Sequence, residues 1–447
     1  MIDIDSGKEL VNKVKNILKK NYDFEIITSG YKSELTRFAE SYIHQNVAET
    51  NLSLTVKVIY EDRIGSVQMN SLDESTISKN IEKAIEIAKI APKLDYHYRL
   101  VTPQSYSIKS KYSEKTANFT PLNRAQLVKQ LIKEVNHRGY EAAGAFRTEE
   151  STFLVANSEG VFAFDRGTKA DFNCVITRDN STAHTSFIDS DINNFDIDKI
   201  IDVLLETALK NVEQIEIEPG MYTVILSPEA VAEILNYTGY TAFNGKLIME
   251  GKSFVCHNQD KNIFPENITV ADDPLDRFTM PIPFDLVGYP RRKIYLVKDG
   301  VVKDGVYDYL TALKYNKKCT GNTLSPEYAS FGALPFNLVM EEGENSVEEM
   351  ISCTKKGIYI SRLHYVNILN PMSIQLTGMT RDGTFLIEDG KIGRAIKNMR
   401  FNTSVIDMLK GVDMISTERQ TKEGFVGPTV APYLRTNNFT FSSKTSF

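Results

Sequence analysis

Few cysteines, no basic excess and no long apolar run are the first features of this 447-residue chain. Cys174, Cys256, Cys319 and Cys353 are scattered without a CxxC pair, which excludes a disulfide framework and a zinc ribbon and predicts reduced thiols in the cytoplasm. Lys and Arg number 52 against 58 Asp and Glu, a net charge of −6, so no global positive field attracts nucleic acid directly. No stretch approaches the ~20 apolar residues of a membrane-spanning helix. The six histidines (44, 97, 137, 184, 257, 364) never fall as HxH or HxxxH, and GxSxG, a P-loop and GxGxxG are all missing.

What is present is an α+β pattern. The start reads as an amphipathic helix carrying Leu10, Val11, Val14, Ile17 and Leu18 on one face rather than as a signal peptide. Residues 23–69 read as a strand meander of FEIITSG, LTRFAESYIHQNVAE and LSLTVKVIYEDRIGSVQM. A helix over 74–91 capped by Asp73 or Ser75 follows, then another that starts at Thr120-Pro121 and stops at Gly139. EAAGAFR, STFLVANS, GVFAFDRG and ADFNCVIT read as four strands, with a turn at Asn157–Gly160, and a helix spans roughly 195–213. Strands and helices come in blocks instead of alternating regularly, which argues against a doubly wound sheet. Pro219-Gly220 is the expected boundary, giving an N-terminal α+β domain over 1–218 and a β-rich C-terminal domain over 219–447, barrel- or sandwich-like. That second part repeats Asp-Gly at 299, 304, 382 and 389, a pair suited to the positive φ of hairpin turns. The tail after 421 keeps VAPYL and FTF and is expected to dock as a last strand.

Chemistry-bearing residues are sparse. Met221–Leu226 is an apolar strand running into Ser227-Pro228-Glu229-Ala230-Val231-Ala232-Glu233, where Ser227 suits a cap, Pro228 the first helical position and Glu229 the first turn. Glu229 and Glu233, one turn apart, serve either as a cation-binding or acid–base pair or as a helix-start anion beside a solvated residue. Cys256-His257 offers metal ligands, or two neighbours on opposite faces of a strand. Asp272-Asp273-Pro274 offers a cation or amine site, or a turn before proline. Arg291-Arg292-Lys293 is able to bind carboxylate or phosphate, or simply opens a strand. His364 in SRLHYVN reaches a cleft, or is a satisfied half-buried histidine.

RFAESYIHQNVAETNLSLTVKV, FLVANSEGVFAFDRGT, MYTVILSPEAVAEIL, NITVADDPLD, PFDLVGYPRRKIYLVKDGVV, GIYISRLHYVN and LTGMTRDGTFLIEDGKIGRAIKNMRFNTS occur in one order across nearly the whole chain. This order resembles the TldD/PmbA (TldE) family, also labelled modulators of DNA gyrase. The resemblance implies two branches. TldD-type members carry HExxxH on the helix matching 228–233, plus a C-terminal cysteine; the two imidazoles hold a metal and the glutamate polarises the attacking water. TldE-type members lack these ligands and pair with the catalytic subunit. Here Pro228 and Glu233 stand at the two histidine positions, Glu229 alone remains, and no cysteine follows Cys353. The implied role is a non-catalytic TldE-like subunit, without a cofactor of its own, that processes peptide or unfolded protein with a TldD-type partner holding a divalent metal. The resemblance implies a dimer, with the TldD-type partner or, for the chain alone, with a second copy as a homodimer, and the sequence leaves the two open. A self-sufficient metallopeptidase using Glu229, Glu233, Cys256-His257 or His364, and a protein-binding modulator of gyrase type, are the alternatives. The family often has an acid before the glycine of PFDLVGYP, where this chain has Leu286-Val287-Gly288.

Overall fold

A computed structural model describes residues 1–19, 21–325 and 327–445. A helix over Ile4–Leu18, closed at its start by a reciprocal Asp3–Ser6 capping box, leads into three strands: β1 (Asp23–Ala39), β2 (Tyr42–Tyr60) and β3 (Arg63–Met69). The helix Glu74–Ile90 starts at Asp73, whose side chain accepts from the Thr76 N–H. Pro121–His137 has the expected Thr120 cap and first-position proline. Then come β4 (Glu141–Asn157), β5 (Phe162–Arg178), β6 (Ser181–Asp189) and the helix Ile197–Lys210. The six strands form one sheet in the order β3-β2-β1-β4-β5-β6, antiparallel throughout.

The strands are longer than their sequence suggests. FEIITSG and LTRFA fuse into β1, EAAGAFR and STFLVAN into β4, and FAFDRG and ADFNCVIT into β5. The polar stretches that resemble turns lie mid-strand, and buried Arg124 satisfies several of them. Its Nε donates to Thr36 Oγ1 at 3.2 Å, Nη1 to Thr148 Oγ1 at 2.8 Å and Nη2 to Glu34 at 3.0 Å. On either side of this polar belt sits an apolar cluster. Helices 4–18 and 74–90 pack on Phe24, Ile26 and Val56, while helices 121–137 and 197–210 pack on Phe38, Phe146 and Phe172. Phe24, Ile26 and Phe38 point from β1 toward the helices, leaving residues such as Ile27 and Ser29 to the other face.

The second half builds one eleven-stranded mixed sheet. Its members are β7 (Gly220–Leu226), β8 (Val270–Asp272), β9 (Ile294–Lys298), β10 (Val301–Val302), β11 (Leu338–Met340) and β12 (Lys356–Asn370), followed by β13 (Gln375–Glu388), β14 (Lys391–Ala395), β15 (Met399–Ser404), β16 (Val412–Lys422) and β17 (Thr429–Lys444). The fold is therefore α+β. Its second sheet curls, because β17 pairs with β7 as well as with β15, yet it is not a closed barrel. The expected last strand is β17, which also pairs with β16 and β11; residues 446 and 447 lie outside the described residues.

Two of the four Asp-Gly pairs are hairpin turns, Asp299-Gly300 between β9 and β10 and Asp389-Gly390 between β13 and β14, each with both residues at positive φ. Asp382-Gly383 lies within β13 instead, where it aims the Asp382 carboxylate at Arg362 of β12. Asp304-Gly305 precedes the helix Tyr309–Tyr315 and has no positive φ. No helix among the described residues is long and apolar enough to cross a membrane.

Candidate functional site

Three buried residues of β7, Val224–Leu226, deliver the chain to Ser227, whose Oγ accepts from the Ala230 N–H and caps the helix Pro228–Ala242. Proline occupies the first helical position and the helix is buried over most of its circumference. Its first turn faces the other sheet. The Glu229 carboxylate accepts from Ser186 Oγ at 2.7 Å and lies 3.3 Å from Lys422 Nζ and 3.6 Å from His184 Nδ1. His184 and Ser186 are two residues apart on β6 and so share a face. Lys422, 7% exposed at the end of β16, also donates to the Ser186 carbonyl at 3.1 Å. One lysine thus ties β16, β6 and the start of the helix together.

The electrostatics follow from this crowding. Burial works to raise the Glu229 carboxyl, but Lys422, His184, the Ser186 hydroxyl and Arg362 overcome it and hold the group down at about 2. Burial pushes His184 down to about 4; Glu229 and Asp382 oppose that shift, while Arg362 and Lys422 add to it. At neutral pH His184 is an uncharged imidazole beside a carboxylate already neutralised by an ammonium. Glu233, one turn on, is raised by burial and then by the Glu229 charge, with Arg362 opposing. Arg362 is itself bound to Asp382 at 2.8 Å. His364 lies half-buried with its ring 4.2 Å from that of Tyr365, and is lowered by burial and then by Arg381 and Arg362. It therefore shares Arg362 with the Glu229 cluster.

The other sequence candidates lie apart from this cluster. Asp272 is 1% exposed and accepts from Arg291 Nη2 with both oxygens at 2.9 Å, from Asn322 Nδ2 at 2.7 Å and from the Asn337 N–H at 2.8 Å. Asp273 pairs with Lys293 at 3.0 Å and accepts from the Leu275 N–H, shaping the turn at Pro274. Cys256 and His257 sit on a short helix, Val255–Asn258, and not on a strand: the thiol donates to the Ile248 carbonyl and the imidazole is exposed. Val287, where the resemblance leads one to expect an acid, is 2% exposed and packs with Val155, Val161 and Phe284.

His184, Ser186, Arg362, Asp382 and Lys422 were absent from the sequence-derived candidates. Alternation along β6 puts His184 and Ser186 on the face opposite Ala183, which is a legible signal. Nothing near Lys422 in sequence marks its partner, 193 residues upstream.

This donor set does not fit a divalent ion at the helix. Proline offers no ligand, Glu229 is paired with an ammonium, the Glu233 carboxyl is pushed up by burial and by the Glu229 charge, and Lys422, with Arg362 adding its positive field, opposes a dication there.

Three comparisons bear on this geometry. The sequence profile of the PmbA/TldA metallopeptidase C-terminal domain matches residues 219–443. An uncharacterised protein of Methanocaldococcus jannaschii is 26% identical over 365 residues, covering 79% of this chain and 82% of the relative, and a metalloprotease of the same archaeon is 21% identical over 436 residues, covering 93% and 94%. The crystal structure of TldE from Thermococcus kodakarensis superposes with a TM-score of 0.90 at 20% identity, over 97% of this chain and all of the other.

Proposed function

This chain belongs to the PmbA/TldD metallopeptidase family, and we propose that within it the chain is a TldE-type, non-catalytic subunit. Its partner is a TldD-type chain that carries the divalent metal, and the two process peptides or unfolded protein together in the cytoplasm. The observation that carries the reading is the occupation of the helix start. In a working site two imidazoles hold the metal and the glutamate polarises its water. Here Lys422 and Ser186 engage the glutamate through one carboxylate oxygen, which makes it a structural anion of the helix start rather than a base beside a metal. The fold likeness to TldE supports the same reading.

Co-expression with a TldD-type chain from the same genome tests it. The expected result is a stable complex at micromolar concentration that cleaves unfolded casein, with the metal accounted for by the partner. Purified alone, this chain should hold less than about 0.1 metal per chain by elemental analysis and leave casein intact. One tightly held transition metal per chain, removable by chelator together with cleavage activity, would instead establish a self-sufficient peptidase.

A further inference from the structure

A second site lies away from the helix start, where residues 96–99 of the first half meet Tyr289 and the end of the helix Tyr309–Tyr315. A cavity of about 490 Å³ opens there. Half-buried Tyr96, Tyr289 and Tyr309 line it together with the exposed side chains of Arg99, Lys317 and Lys318. No carboxylate among the described residues does.

One wall is fixed from behind. The Asp62 carboxylate accepts from the Tyr98 N–H at 3.0 Å and lies 2.7 Å from His97 Nδ1, and the Asp62 carbonyl accepts from the Leu94 N–H at 2.9 Å. Tyr98 is buried, donates to Glu25 at 2.9 Å and sets its ring edge-on to that of Tyr309, 6.2 Å between centroids. Tyr96 and Arg99 flank this pinned pair in sequence, so their backbone is held in place without a ligand.

Three cations share this space and little offsets them. Lys317 lies 3.8 Å from Asp304, which also accepts from the Tyr307 hydroxyl. Arg99 and Lys318 have no ion pair or hydrogen bond among the described residues, and the hydroxyls of Tyr96, Tyr289 and Tyr309 have no hydrogen-bond partner there either. Neighbouring carboxylates are engaged elsewhere: Asp95 lies 3.3 Å from Lys314, and Asp308 caps the helix through the Thr311 N–H. The negative end of a helix attracts lysines, which accounts for Lys314 and Lys317. It does not account for Arg99, which comes from the other half of the chain. Like charges gathered at one cavity repel unless an anion sits among them.

We propose that this cavity binds a phosphate monoester of a planar aromatic body, the chemistry of a nucleoside 5′-monophosphate, with the phosphate on Arg99 and Lys318 and the ring against the tyrosines. Both cations are exposed, so their N–H groups are open to phosphate oxygens. Tyrosine faces take a base whatever its identity, and the volume falls within the range of ordinary small-molecule sites. With no carboxylate in the lining, a doubly charged phosphate meets no like charge in the wall itself. None of these residues belongs to the Glu229 cluster, so the site stands whether or not the chain is a non-catalytic subunit.

Calorimetric titration of the full chain with adenosine 5′-monophosphate, adenosine and inorganic phosphate tests the assignment. The nucleotide should bind one-to-one, at least about tenfold more tightly than either fragment. Arg99→Gln combined with Lys318→Gln removes two exposed cations that hold nothing else in the chain. The circular dichroism spectrum should stay unchanged while the nucleotide weakens by about tenfold or more. Lys314→Gln is the control for bulk charge: it lies on the same helix outside the lining, and affinity should stay within about twofold. A nucleotide bound no more tightly than adenosine or phosphate, or not bound at about 10 mM, would overturn the proposal. So would an affinity that the double variant leaves untouched, or that Lys314→Gln lowers as much.

Discussion

Lys422 is the residue on which the helix start depends most. Replacing it by methionine keeps the stem and removes the ammonium, leaving Glu229 facing Ser186 and a neutral His184 in a largely desolvated corner. The expected loss is about 2 kcal/mol, less than for a fully buried pair because a quarter of the Glu229 side chain still meets solvent. Glu229→Gln in the same chain should recover most of it, and a urea double-mutant cycle reads the coupling directly. His184 gives the pH dependence. Facing it are Glu229 from the helix, Lys422 from β16 and the Arg362–Asp382 pair from β12 and β13. Its folded pKa of about 4 lies below the ordinary 6.5, so between these values the unfolded chain takes up a proton that the folded chain refuses. Stability is therefore full above about 6.5 and falls as the solution is acidified toward 4, by about 2 kcal/mol between pH 7 and pH 5. Glu229 adds its own loss only below its ordinary 4.5, outside that window. His184→Gln should flatten the fall in urea titrations at pH 7 and pH 5; an unchanged slope would assign it to other groups. Of this cluster the sequence exposes only the helix-borne members, since a cap, a proline and an i, i+4 pair are local signals. The lysine that neutralises them comes from another strand, and no local pattern encodes it.

At the level of elements, the five long helices were legible to within a few residues because their caps and stripes are short-range features, whereas short ones such as Tyr309–Tyr315, whose YDYLTAL reads as strand, were not. Asp73, Thr120 and Ser227 all cap where the sequence places them. Strand lengths were not. A run such as Thr148-Glu149-Glu150 has the composition of a turn, and partners distant in sequence, Arg124 for Thr148 and Tyr112 for Glu150, make it habitable inside a sheet. The same limit hid the β1–β2 connection, which falls in the middle of RFAESYIHQ. It is a two-residue turn at Glu40 and Ser41, with φ of 51° and 60°. Both residues lie in the left-handed region that tight hairpins require, and glutamate has no feature that favours it. Glu40→Asn should accordingly stabilise the chain by about 0.5–1 kcal/mol, seen as a higher urea midpoint with an unchanged slope. Ser41 is the wrong place for the experiment, because its hydroxyl accepts from the Ala142 N–H and bonds Asn136. Asp-Gly pairs teach the complementary lesson. The dipeptide states that positive φ is affordable, and its surroundings decide whether it is spent on a hairpin, as at 389, or on a kink that aims a carboxylate, as at 382.

Across the whole molecule, the two sheets meet through a small apolar cluster, Val101, Val155, Val161 and Ala163 from one side against Phe284 and Val287 from the other. Polar clasps flank it, Tyr106 donating to the Gly288 carbonyl at 2.7 Å and Ser110 to the Pro281 carbonyl at 2.8 Å, and a further one lies well along the sheet, where Lys422 donates to the Ser186 carbonyl at 3.1 Å. Val287 lies buried within this cluster as part of the clamp, where a carboxylate would have no cation to pair with. Gly288 is its tightest point. Its φ is +79°, and a Cβ would come within 2.7 Å of the Val161 methyl. Gly288→Ala therefore meets two penalties, the left-handed backbone and a wedge driven between the sheets, together about 3 kcal/mol. Gly251 supplies the control. It has φ +72° with nothing within 4 Å of its virtual Cβ, so alanine there meets the backbone penalty alone, about 1 kcal/mol. A difference near 2 kcal/mol between the two variants in urea unfolding measures what close contact at this junction contributes. Equal losses would mean that Val161 yields freely, and that the polar clasps, Lys422 foremost, hold the two halves in register over the helix start.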